Sequence, residues 1–421
     1  LLIICGNSSF RNRLLLGSEA EFYTDLRRLF TSTEVLPGIC ELIELIYVNN
    51  SRMRNVFIVE FLSSILAICT TLLALLAIIF NKTLHFNMRL LLLCFWGAII
   101  ITCIGTLIDS SYYLIAIVSK IDVERCAWLS FTKSDCIALR NVYYLGLVMF
   151  VIATLFLAIE RAIATLLYQT YERSSRKWIS ILMALTQASY FSMLLWLLVI
   201  PLMYYQNHSE EHIFPYCAYE LFNPKLIANI QLGVIAIQIC SFVIIIVLWT
   251  HNNKKFLYRK SQNENVSVRY QLRENVSTSK LLVPLVTIIT VLVLTSALLH
   301  VLLPSEQTDN YRIIVDQLIT YCFYAEIQAC FLPIASIILA IILCHTSKAI
   351  RSTLFHLLGL ECCMEFGRRN SVNVSPEEFI RQSYFDQLHQ QWNDLPISWN
   401  GTMCNGLEYK TFPNANPQQI Q

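Results

Sequence analysis

The sequence predicts an all-α protein: a bundle of seven transmembrane helices with the N-terminus outside the membrane and the C-terminus in the cytoplasm. Three observations carry this. Hydrophobic residues fill 56% of the 421 positions and charged residues only 14%, against roughly 25% charged in a soluble domain. Seven runs are apolar over the roughly 20 residues that a helix needs to cross a bilayer. Lys and Arg gather in alternate connections between those runs, which sets an orientation.

The runs follow in order. The first is Val56–Phe80 and the second Leu90–Leu107. The third is Val142–Ile159, continuing into Leu167. The fourth is Trp178–Tyr204, the fifth Leu226–Trp249, the sixth Leu281–Leu303 and the seventh Ile313–Leu343. Polar or turn-forming stretches separate them, and their length without caps argues against a buried soluble bundle. Residues 1–55 form an extracellular segment and lead-in, and 56–344 the seven-span domain. Within the lead-in, Glu34–Val48 is apolar but carries three acids, which suits an amphipathic approach better than an extra span. After the last run, 345–366 is a juxtamembrane amphipathic helix, seen in Ala349–Phe366, and 367–421 a polar cytoplasmic tail expected to be disordered.

With the N-terminus outside, the inner connections 81–89, 160–177 and 251–280 hold 13 Lys and Arg in 57 positions, and the outer connections 109–140, 204–225 and 304–316 hold six in 67. Of the glycosylation sequons, Asn7, Asn49 and Asn207 then lie outside, while Asn81, Asn265, Asn275, Asn373 and Asn400 lie inside. The net charge of +2 gives no reason to expect nucleic acid. No dinucleotide, P-loop or zinc-protease motif is present, and the eight His are scattered singly. Neither a catalytic site nor a cofactor or metal site is expected. The surrounding lipid is the one partner that composition implies.

Four features could carry function. Glu160-Arg161 stands at the inner end of the third run, where charges are costly unless paired or interfacial. One reading is an anchor at the headgroups. The other is a switch in which Glu160 restrains Arg161 until it turns toward a cytoplasmic partner. Cys136 precedes Arg161 by 25 residues, about 37 Å of helix, which puts it at the outer mouth of the third run. Cys217 lies in the next outer loop, and the two face an oxidising compartment; Cys126 is a rival partner for either. In the seventh run Gln317, Tyr321, Tyr324 and Gln328 share one stripe, either a ligand-cavity wall or helix-to-helix hydrogen bonding. Glu326 sits about 200° around from Tyr324 and must meet a neighbouring helix or hold a proton. Finally, Cys362 and Cys363 are palmitoylation candidates or plain thiols near the membrane.

Some of these residues resemble a known family. Val266–Asn275 (VSVRYQLREN) is similar to the L-S-x-R-Y-Q-L-x-E-N block of the nematode serpentine receptor class epsilon (Sre) chemoreceptors: Ser267, Arg269, Tyr270, Gln271, Leu272, Glu274 and Asn275 match, and Val266 replaces Leu. Glu160–Glu172 resembles that family's E-R-x-x-A-T…Y-E block, and Leu84–Leu90 its F-H-x-N-L element with His85 and Phe86 in reversed order. The resemblance implies a receptor for an environmental small molecule that signals through a heterotrimeric G protein, in the plasma or ciliary membrane of sensory neurons. Glu160-Arg161-Ala162 also loosely resembles the acid-Arg-aromatic triplet of rhodopsin-like receptors, but the seventh run has Leu332-Pro333-Ile334 where those have N-P-x-x-Y. A channel or transporter is the alternative. It calls for internal repeats or charges lining a path; no repeat is visible, and Glu326 reads as the one deep isolated charge.

Overall fold

The computed structural model describes residues 36–81, 84–118, 122–167, 178–189, 213–218, 224–259, 266–302 and 311–359. The helices are α1 (Leu36–Ile43), continued by a π-helical segment Glu44–Val48, α2 (Ser51–Phe80), α3 (Phe86–Val118), α4 (Asp122–Leu129), α5 (Lys133–Leu166), α6 (Trp178–Ser189), α7 (Pro224–Arg259), α8 (Val266–Leu302), α9 (Tyr311–Thr346) and α10 (Lys348–Leu357). Six of them, α2, α3, α5, α7, α8 and α9, are long and apolar enough to cross a membrane. Of the predicted fourth run, the described residues include α6, which over that described length is shorter than a span; positions 190–204 lie outside the described residues.

Each long helix outruns its apolar stretch. Hydropathy marks only the part facing hydrocarbon, whereas backbone hydrogen bonding continues until a cap or breaker intervenes. Asn50 starts α2 by accepting from Arg52 N and Met53 N at 3.1 and 3.4 Å. Thr132 and Asp135 form a capping box at α5. Ser347 caps α10, which stops at Leu357 because Gly359 turns into the left-handed region at φ 67°. Of the juxtamembrane helix expected over Ala349–Phe366, the described part runs to Leu357; 360–366 lie outside the described residues.

α3 packs along both α2 and α5, α9 against α2, and α7 against α5 and α8. At the crossing of α3 and α5 the backbones nearly touch. A Cβ on Gly105 would stand 2.6 Å from Tyr143 Cα, and one on Gly146 2.8 Å from Thr102 Cα. Only hydrogen fits at either position.

Two buried apolar clusters fill the bundle. One lies among α2, α3, α5, α7, α8 and α9 around Trp96, Phe95 and Phe150. The other gathers α1, the π segment, 213–218 and the adjoining helix ends around Tyr47, Phe57, Tyr113 and Tyr216. There Phe131 and Phe214 exchange backbone hydrogen bonds of 2.9 and 2.8 Å. Disulfides join Cys136 to Cys217 and Cys40 to Cys126, so Cys126 is taken by the lead-in. Cys136→Ser and Cys217→Ser should each lower surface level, since losing a bridge costs about 2–5 kcal/mol. The double variant should match the worse single one, because one bond is lost in each case. Surface labelling checks this; additive losses would contradict the pairing.

Candidate functional site

At one end of the bundle the side chain of Arg161 is enclosed. Its Nε and Nη2 donate to Glu160 Oε2 and Oε1 at 2.5 and 2.7 Å, and Nη1 donates to Thr278 Oγ1 on α8 at 2.7 Å. Both members of the ion pair are buried, so these charge-assisted bonds form out of water, where they are strongest. Two further bonds close the same end. Asn275 Nδ2 on α8 donates to Ala164 O at 3.2 Å, and Asn252 Nδ2 on α7 donates to Thr165 Oγ1 at 2.9 Å. Of the Val266–Asn275 block, Leu272 and Asn275 are buried. The side chains of Ser267, Arg269, Tyr270, Gln271 and Glu274 lie outside what is described.

Midway along the bundle a three-helix bridge joins α5, α7 and α8. Thr154 Oγ1 donates to Gln238 Oε1 at 3.3 Å, and Gln238 Nε2 to Thr290 Oγ1 at 3.1 Å. Above it, between α5, α7, α8 and α9, lies a cavity of about 350 Å³. Its wall is mostly apolar, with Arg140, Asn141, Tyr144, Tyr216, Gln231 and Gln328 among the polar exceptions. A largely apolar pocket with a few convergent polar groups is the usual form of a small-molecule site.

Behind one wall of the cavity is a buried charge cluster. Arg140 Nη2 donates to Glu326 Oε1, and it also reaches Tyr216 Oη at 3.4 Å. Tyr216 in turn donates to Glu326 at 2.8 Å. Asp109 Oδ2 stands 3.7 Å from Arg140 Nε. Glu60 on α2 is fully buried, and its electrostatic neighbours are Glu326, Arg140 and Asp109. Burial pushes the Tyr216 phenol well above its ordinary pKa, so it remains a donor.

The residues singled out from sequence are distributed as follows. Glu160 and Arg161 form the closed end, and Cys136 and Cys217 are bonded at the other. Of the seventh-run stripe, Gln328 lines the cavity and donates to Ser296. Gln317 and Tyr321 are instead buried near the second cluster, and Tyr324 is 37% exposed. The stripe does not reach the cavity as a set, because one helical face spans two neighbours along its length. Glu326 is not isolated: it meets Arg140 across the bundle. Asn49 is exposed in the bend before α2, whereas Asn7, Asn207, Cys362 and Cys363 lie outside the described residues. Sequence reading missed Glu60, Asp109, Arg140, the Thr154–Gln238–Thr290 bridge and the Cys40 bond. The available signal was a Glu inside the first apolar run and two charges just beyond the assumed ends of the second and third. Among the described residues no His, Cys, Asp and Glu group could hold a metal ion.

Residues 39–393 match a family model described as serpentine type 7TM GPCR receptor class ab chemoreceptor. The chain is also 24% identical over 281 residues to "Serpentine receptor class alpha/beta-14" of Caenorhabditis elegans, covering 64% of this chain and 67% of that relative. The match is with class ab, and the class epsilon resemblance of Val266–Asn275 is not confirmed. Ten residues carry too little to separate one class from the next.

Proposed function

The chain belongs to the serpentine class ab chemoreceptor family, and from that premise we propose that Glu160, Arg161 and Thr278 form the resting latch of a ligand-operated switch. The protein is a multi-pass membrane receptor of the chemosensory, G-protein-coupled type. Its family is a receptor class, not an enzyme family, and no observation favours a channel or transporter. The observation that carries the proposal is the enclosed guanidinium: Arg161 is bound at once to its neighbour on α5 and to α8. A small molecule in the cavity displaces α7 and α8 relative to α5, exchanges the Gln238 bridge and frees Arg161 for a heterotrimeric G protein. Binding acts by favouring one of two existing arrangements.

Seven spans, with α6 opening the fourth, complete the reading. The receptor body occupies 56–344, with 1–55 outside, 345–366 along the inner surface and 367–421 in the cytoplasm. Orientation is supported twice, by the basic inner connections and by both disulfides lying at the end away from Arg161, as an oxidising outer face requires. Asn7, Asn49 and Asn207 are then glycan sites, Cys362 and Cys363 palmitoylation sites, and the membrane is the plasma or ciliary membrane of a sensory neuron. A tag after Gln421 should stain only permeabilised cells, and Asn49→Gln should remove one glycan from the mature protein. Staining of intact cells would sink this orientation. A chemical panel with a G-protein readout in a heterologous cell tests the receptor reading as a whole.

A further inference from the structure

Taking the cavity as the ligand site, as proposed above, its polar wall decides what can enter. Arg140, Asn141 and Tyr216 line it, while Glu60, Asp109 and Glu326 do not. The guanidinium is therefore the charge nearest the ligand, but it is already met from behind by Glu326 and Asp109. Glu60 adds a third buried acidic side chain to the same neighbourhood. Among the described residues, three acids face one base.

This arrangement disfavours both kinds of charged ligand. An anion drawn to Arg140 would have to compete with Glu326 and Asp109, which already hold the guanidinium, and buried charge without full pairing is costly. An ammonium would have to stand against the guanidinium itself. An uncharged ligand meets neither objection. Asn141 supplies a second condition. It is 8% exposed, it lines the cavity, and its Oδ1 has no hydrogen-bond partner. A buried acceptor without a donor is unfavourable, and a ligand donor would satisfy it. A hydroxyl accepts and donates through one atom, so it can take a hydrogen bond from Arg140 and give one to Asn141. The rest of the wall, including Val148, Phe150 and Leu292, suits a hydrocarbon body.

We propose that the receptor binds uncharged, mainly apolar alcohols, with Asn141 reading the hydroxyl proton. Glu326 and Asp109 act as specificity residues: by cancelling the charge of Arg140 they keep carboxylates out.

The experiment uses the full-length receptor in detergent and compares 1-octanol, methyl octyl ether, octanoate and octylamine at neutral pH. Binding is read from the rise in unfolding temperature with concentration. The alcohol should bind about tenfold more tightly than the ether, with carboxylate and amine weaker still. Asn141→Leu should abolish the alcohol–ether difference. Glu326→Gln uncovers Arg140 and should raise octanoate affinity about tenfold. Should that variant fail to reach the membrane, Asp109→Asn tests the same cancellation. Equal binding of alcohol and ether, a preference for octanoate or octylamine in the wild type, or no binding by any of the four overturns the proposal. Because this readout needs no G protein, the two readings fail separately. Alcohol binding without any cellular response would count against the switch. A cellular response confined to charged ligands would count against the alcohol site.

Discussion

Arg140→Met should remove most of the receptor from the cell surface. Arg140 is the base that the described structure places among Glu60, Asp109 and Glu326. Taking one partner out of a buried ion pair leaves uncompensated charge and costs about 3–5 kcal/mol. A typical domain has only about 5–15 kcal/mol of stability. Glu326→Gln should be milder, because Arg140 keeps Asp109 beside it. Replacing both sides, as Arg140→Met with Glu326→Met, should recover part of the loss, since exchanging a buried pair for apolar residues is often neutral or stabilising. Flow cytometry of an outer-face tag on intact cells measures all three. A wild-type surface level for Arg140→Met would mean that the cluster is solvated.

Glu160→Gln should raise basal G-protein activation per surface receptor. Glutamine retains the shape but loses the carboxylate that holds Arg161 through two bonds. A buried charge-assisted restraint is worth about 1–3 kcal/mol, which shifts a two-state population by roughly five- to 150-fold. Thr278 continues to hold Nη1, so the increase should fall toward the lower part of that range. Arg161→Ala should do the reverse: ligand binds and no signal follows, because the group offered to the G protein is gone. If the pair were an interfacial anchor, both changes would lower surface level and leave signalling per receptor unchanged. Normal signalling by Arg161→Ala would end the switch hypothesis.

Sequence alone made the helices legible and their ends much less so. The apolar runs of α2, α3, α5, α7, α8 and α9 are visible because a bilayer demands them. Polar helical ends carry no such signal, so Asp109 and Arg140 read as loop residues, although α3 continues to Val118 and α5 begins at Lys133. Asp109 and Arg140 were lost for that reason, and with Glu60 passed over inside the first apolar run, Glu326 looked solitary. Glu160 and Arg161 were visible because two adjacent charges at the end of an apolar run need a partner. Thr278, more than a hundred residues away on α8, has nothing local to mark it. The four-residue stripe of α9 fixed a face but not which neighbour it meets, and only Gln328 reached the cavity. Cysteine pairing likewise depends on which chain ends meet, and Cys40 crosses to Cys126 only once α1 lies against α4.

The crossing of Gly105 and Gly146 divides the bundle mechanically. Where backbones touch there is no side chain to re-rotamerise and no gap to slide through, so α3 and α5 behave as a stator. Contacts of α7 and α8 with α5 include the side-chain hydrogen bonds of Asn252, Gln238, Asn275 and Thr278, each of which can be exchanged for another partner. On the proposed switch, motion driven from the cavity is expected to fall to the α7–α8 side as shear between packed helices.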